Sequence, residues 1–137
     1  MQFATSSMPC SSSSSFARAR VLFAALLAVT ALNHARLAVA GAGNVMRHEV
    51  FVGLNLALAL LLVARPRWAL VPAGLLSVQQ LYSHGSDLLA SVHAPGPFEW
   101  ASVGVLVFFP ALLTLLVVER RRTRSTPERP PAAPPGS

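Results

Sequence analysis

Apolar residues fill four long stretches of this chain, separated by short polar or proline-rich breaks. The first runs from about Val21 to Ala40, behind Arg18 and Arg20. Gly41-Ala42-Gly43-Asn44 reads as a turn. The second begins at Arg47-His48-Glu49 and continues to Ala64, where Arg65-Pro66-Arg67 stops it, because proline breaks a helix and disfavours helical geometry in the residue before it. The third goes from Trp68 to about Ala90, with Pro72 in its first turns. After the tight loop Ala94-Pro95-Gly96-Pro97, the fourth spans Phe98 to Val118 and carries Pro110, a predicted kink. Each run approaches the ~20 residues a helix needs to cross a ~30 Å hydrocarbon layer.

The pattern predicts an all-α fold, an integral membrane four-helix bundle of two antiparallel hairpins. Its helices are expected at about 20–40, 47–64, 68–90 and 98–118, inside a transmembrane domain at 18–119. Residues 1–17, with Ser11 to Ser15 in a row, read as a disordered leader, and residues 120–137 as an Arg/Pro-rich cytoplasmic tail. No internal repeat relates the hairpins. Two rival readings touch the N-terminus. Arg18 and Arg20, the apolar Val21–Leu32 and Ala38-Val39-Ala40 before Gly41 also suit a cleavable signal peptide. A serine- and arginine-containing leader without acids also resembles an organelle transit peptide. A retained helix is favoured, because His34 and Arg36 make an unusual cleavage region.

Composition agrees with the membrane reading. Of 137 residues, 53% are hydrophobic and 12% charged, about half the charged share of an ordinary soluble domain. The mean hydropathy is +0.54. The formal charge is +6, and all eleven basic residues are arginine. They flank apolar runs instead of forming a stripe with aromatics, which argues against a nucleic-acid partner and for a lipid bilayer. A larger membrane complex or a homo-oligomer is a further partner class. Cys10 is the only cysteine, so no intramolecular disulfide and no CxxC site can form.

Arginine placement gives an orientation. With four crossings, nine arginines fall at one set of helix ends, and Arg36 and Arg47 alone fall at the other. The expectation is a multi-pass protein with both termini and the 65–67 loop cytoplasmic. All four histidines, with Glu49, Asp87 and Glu99, then lie in the outer half. No single local motif supplies this clustering.

The densest polar stretch is Ser77 to Asp87, where helical spacing puts Gln80, His84 and Asp87 at i, i+4 and i+7 with Ser83 beside them. Asn55 follows His48 at i+7 on the second helix. Polar side chains at membrane depth usually face an interior or a cavity. Several chemistries can use such a set. His34, His48, His84, Asp87 and His93 are candidate ligands for zinc, copper or iron, although no H-x-x-x-H or H-E-x-x-H is present. His84, Asp87, Glu49 and Tyr82 are candidate acid–base groups. Gln79, Gln80, Asn55, Asn33, Ser83 and Glu99 are candidate contacts to a small apolar or amphipathic ligand. His34 and His84, on different helices, could instead hold one haem. The structural alternative is that these residues only join helices, at ~0.6 kcal/mol or a little more each. The expected function is a small membrane protein with a site near its extracytoplasmic face that binds a metal or a small ligand, with membrane acid–base catalysis as its enzymatic form. The alternative is a non-enzymatic subunit or assembly factor.

Overall fold

The computed structural model describes residues 12–93 and 98–125. The expectations for the first part of the leader, the 94–97 loop and most of the tail lie outside the described residues. Among the described residues there are four helices: α1 (Ser12–Val39), α2 (Val45–Ala64), α3 (Pro66–His93) and α4 (Trp100–Arg124). Among the described residues there is no strand.

The helices run three or more residues further than expected at three ends. The α1 helix starts at Ser12, inside the stretch expected to be disordered. Ser12 to Ala17 contain no proline or glycine, so a helix nucleated by the apolar run propagates back through them. The Phe16 ring also lies 5.1 Å from the Arg122 guanidinium. The α4 helix continues through Arg120–Arg124, expected as tail, because arginine is a good helix former and its charge complements the C-terminal dipole. The α3 helix reaches His93, just short of Pro95.

The helix ends are set by local chemistry. Gly41, with φ 64°, ends α1: its N–H bonds the Ala38 carbonyl at 3.1 Å, and the Ala42 N–H bonds Leu37 at 3.0 Å. This pair of bonds is the Schellman arrangement, which needs a left-handed residue that only glycine adopts without strain. Asn44 caps α2 by accepting from the Arg47 N–H at 3.1 Å. Arg65 alone separates α2 from α3; it precedes proline and leaves the helical region, at φ −145° and ψ 66°. Pro66 then takes the first helical position, where a missing N–H costs nothing.

The inward faces follow one rule. Arg20, Ala24, Leu27, Ala31 and His34 recur at alternating spacings of four and three along α1. The same alternation gives His48, Phe51, Asn55, Leu58 and Leu62 on α2, and Ser102, Val105, Phe109, Leu112, Leu116 and Glu119 on α4. On α3 the inward positions are Ala69, Ala73, Leu76, Gln80 and His84, at spacings of four, three, four and four. A repeat of ~3.5 residues keeps one stripe of each helix facing its neighbours. Leu27, Leu58, Leu62, Leu112 and Leu116 are buried on these stripes. The α1 helix packs mainly on α2, α3 mainly on α4, and α2 on α3. The α1–α4 contact is the weakest and lies at one end, where Arg20 pairs with Glu119 and the Phe23 and Phe108 rings approach to 5.1 Å.

Three helices, α1, α2 and α4, are long and apolar enough to cross a membrane. The α3 helix, expected as a fourth span, is long enough but falls below that level of hydropathy, because Ser77, Gln79, Gln80, Ser83, His84 and Asp87 dilute it.

Leu112, fully buried on the α4 stripe, tests this packing. Leu112→Ala should lower stability by about 2 kcal/mol or more, from lost contacts and the cavity left behind. Leu60→Ala, at an outward position 68% exposed, should change it by less than about 0.5 kcal/mol. Unfolding of the purified protein by increasing detergent denaturant measures both.

Candidate functional site

Away from the Arg20–Glu119 pair, α1 and α4 separate, and a cavity of about 640 Å³ opens between them. Its polar wall comes from the histidine ends of three of the stripes. His34 enters from α1, His48 and Asn55 from α2, and Gln80 and His84 from α3. Its apolar wall includes Leu27, Phe51, Phe108 and Phe109. Leu26 and Val29 of α1 and Ala101 and Gly104 of α4 line its mouth; all four are also exposed on the outside of the molecule. The cavity therefore opens sideways between two helices.

Three side-chain hydrogen bonds tie neighbouring elements around it. The His34 and His48 Nδ1 atoms lie 3.0 Å apart, so one nitrogen carries the proton and the other accepts it. The His34 ring also stacks on Phe51, with centroids 5.3 Å apart. His84 Nδ1 is 3.0 Å from the Ser102 hydroxyl, which joins α3 to α4. Arg47 Nη2 donates to Ser83 Oγ at 2.6 Å and joins α2 to α3. The same guanidinium sits 5.9 Å from the centre of the Phe51 ring.

Two amides sit deeper. Gln80 is 5% exposed and lines the cavity. Asn55 is fully buried, and its Nδ2 donates to the Phe51 carbonyl at 2.8 Å, one turn back on its own helix. Its Oδ1 has no hydrogen-bond partner, and it is the one buried side-chain oxygen or nitrogen among the described residues left in that state. A buried acceptor without a donor costs about 1–3 kcal/mol. Ser77, also buried, closes its own hydroxyl onto the Ala73 carbonyl at 2.6 Å.

Several expected site residues stand elsewhere. Asp87, expected on one face with Gln80 and His84, is exposed and does not line the cavity. It lies three residues, about 4.5 Å of helix rise, beyond His84. His84 already meets Ser102 in the first turn of α4, so Asp87 stands past the level where its neighbour begins. Glu49 follows His48 directly, so it points away from the stripe and is exposed. Tyr82 is 82% exposed, and Gln79 is exposed. Glu99 is the exposed N-cap residue of α4 and makes no side-chain capping bond. His93 bonds the Leu89 carbonyl of its own helix at 2.8 Å. Ser83 is engaged by Arg47 at the rim, and Asn33 lines the cavity near its mouth.

The metal reading gains no support from this placement. Among the described residues no three His, Cys, Asp or Glu side chains come together as a group that could hold a metal ion. Of His34, His48, His84, Asp87 and His93, the first two are hydrogen-bonded to each other. His34 and His84, paired in the haem reading, line the same cavity, but different neighbours hold them.

Arg47 and Ser102 were not singled out from sequence as site residues. Arg47 reads as a topology charge, and Ser102 has no role in the sequence reading. The four-and-three spacing that runs from Ser102 to Glu119 was the available signal for the second. The chain matches no protein-family model, no curated protein and no solved structure.

Asn55→Leu replaces the unpartnered amide by an apolar side chain of similar size. It should leave stability unchanged or raise it by about 1 kcal/mol, against the loss expected at most buried positions. The unfolding midpoint of the variant measures this, and a large decrease would mean that Oδ1 has a partner in the folded protein.

Proposed function

We propose that this chain is a four-span integral membrane protein whose lateral cavity binds a small amphipathic ligand carrying a hydrogen-bond donor. Asn55 Oδ1 carries the proposal: it is a fully buried acceptor without a donor, on a helix that lines a cavity of about 640 Å³. Oδ1 itself has no accessible surface, so a ligand hydroxyl or N–H would satisfy it where the covering side chains shift to admit the donor. Gln80, His84 and the His34–His48 pair offer further polar contacts to the same head group, while Leu27, Phe108 and Phe109 suit an apolar body. Small-ligand sites generally combine a mostly apolar lining with a few convergent polar groups.

The bilayer reading extends to α3 through its outward face. Trp68, Val71, Leu75 and Val78 are exposed there, at 68–71%. Ser77, Gln80 and His84 turn inward, so half of the six residues that lower the hydropathy of α3 lie within the protein, while Gln79 and Asp87 stay exposed. With α3 as a fourth span, the arginine bias places both termini in the cytoplasm and the histidine ends outside. The cavity mouth between α1 and α4 then faces lipid, and a lipid-dissolved ligand reaches it without crossing water. An enzymatic form of this reading uses His84 and the His34–His48 pair as proton carriers to a bound substrate.

A second reading has its own support. The His34–His48, His84–Ser102 and Arg47–Ser83 bonds all close onto neighbouring elements, as expected of polar residues that hold a helical subunit together. That reading gives no role to the open acceptor on Asn55.

Gly104 separates the two. A Cβ added there meets nothing within 4 Å, so a side chain can be accommodated at the mouth. Native mass spectrometry of protein purified from its membranes should show a small-molecule adduct. Gly104→Leu and Asn55→Leu should reduce it at least tenfold while the variants stay folded and remain in carbonate-washed membranes. An adduct that survives both changes, or a wild-type protein that carries none, would support the helix-joining subunit.

A further inference from the structure

The opposite end of the molecule holds a second cavity, of about 510 Å³, between the first turn of α3 and the last turns of α4. Arg67 lines it from α3, and Arg120 and Arg124 line it from α4. The carboxylate in its lining belongs to Glu119, which is engaged by Arg20 of α1. The side chains of Arg67, Arg120 and Arg124 make no hydrogen bond or ion pair with any other described residue. Three guanidinium groups therefore share a concave site in which the single acid is already neutralised.

The remainder of the lining indicates what kind of anion suits it. Leu70 and Leu116 form an apolar side continuous with the core, and Leu116 is only 4% exposed. Pro66 opens α3 at this site, so the positive end of a helix dipole points there as well. Guanidinium forks match phosphate oxygens two at a time. We propose that this cavity is a binding site for a phosphate monoanion, supplied by the phosphodiester headgroup of an anionic phospholipid whose chains continue past Leu70 and Leu116. The site shares only the bilayer placement with the ligand cavity at the other end. Its effect is to hold the arginine ends of α3 and α4 together through a lipid.

Trp68, adjacent to Arg67 and 71% exposed, reports on the site. The full chain carrying Trp100→Phe has Trp68 as its single tryptophan. It is placed in phosphatidylcholine nanodiscs doped with either brominated phosphatidylglycerol or brominated phosphatidylcholine, and quenching is compared. The anionic lipid should quench Trp68 preferentially. Arg67→Gln, Arg120→Gln and Arg124→Gln should each lower that preference about fivefold, as expected for loss of one cation near the surface. Arg67→Lys should retain most of it. Arg121→Gln, on the same turn but outside the cavity lining, should change it far less. Asn55→Leu should leave it unchanged, so failure here is distinct from failure of the ligand cavity. Competition by inorganic phosphate at constant ionic strength, where chloride does not compete, would identify free phosphate as the source for the same anion site. Absence of such competition, with the preference intact, would identify the lipid headgroup. Equal losses at Arg121 and at the three lining arginines, or no preference for the anionic lipid, would overturn the proposal.

Discussion

The structure depends on four helical stripes that repeat every ~3.5 residues and must face one another. Each stripe is occupied by leucine, alanine or phenylalanine through its middle. At one end the stripes carry His34, His48 with Asn55, His84 with Gln80, and Ser102. At the other, α1 and α4 carry Arg20 and Glu119. Polar groups surrounded by hydrocarbon must find partners inside the protein. The two ends meet that demand differently. The arginine end closes α1 on α4 with an ion pair, while the histidine end joins neighbouring elements by several bonds and leaves α1 and α4 apart.

That difference explains why the cavity is where it is. The α1 and α4 helices are the first and last, with no connecting turn to hold them together. Arg20–Glu119, Phe23–Phe108 and the Arg122–Phe16 contact draw them together at the arginine end only. Towards the histidine end the partners across the gap are small: Ala101 and Gly104 on α4. The gap widens into a space that Asn55 and Gln80 line from the far side. An oxygen left without a donor at that depth is a stability cost that helix packing does not require, because a leucine of similar size would fill the same position.

Much of the helical layout was legible in the sequence, and the reasons are local. Gly41 and Gly43 marked a turn because only glycine takes a positive φ freely, and Pro66 marked the α2–α3 break because it dictates the geometry of Arg65. Helical periodicity put Gln80 with His84 and His48 with Asn55, and all four line the cavity. It could not place Asp87, because a face is a direction and says nothing about where the neighbouring helix ends. Tyr82 and Glu49 were drawn in by proximity in sequence to His84 and His48, yet a shift of one or two residues turns a side chain away from the stripe. Arg47 was read for its charge, and its bond to Ser83 depends on how α2 meets α3, which no local spacing encodes. The expected metal set gains no support for a related reason: residues gathered at one end of a helical protein need not converge on one point, and among the described residues no such group forms.

The four-span arrangement depends most on α3, whose polar residues would keep it out of a bilayer if all of them faced outward. Trp68 and Trp100 begin α3 and α4 and are both exposed, so they mark opposite ends of the structure. Single cysteines placed at each position, in a chain with Cys10→Ser, can be labelled with a membrane-impermeant maleimide in intact and permeabilised cells. If α3 crosses, Trp100→Cys reacts in intact cells and Trp68→Cys only after permeabilisation. Labelling of both from the same side would contradict the four-span account.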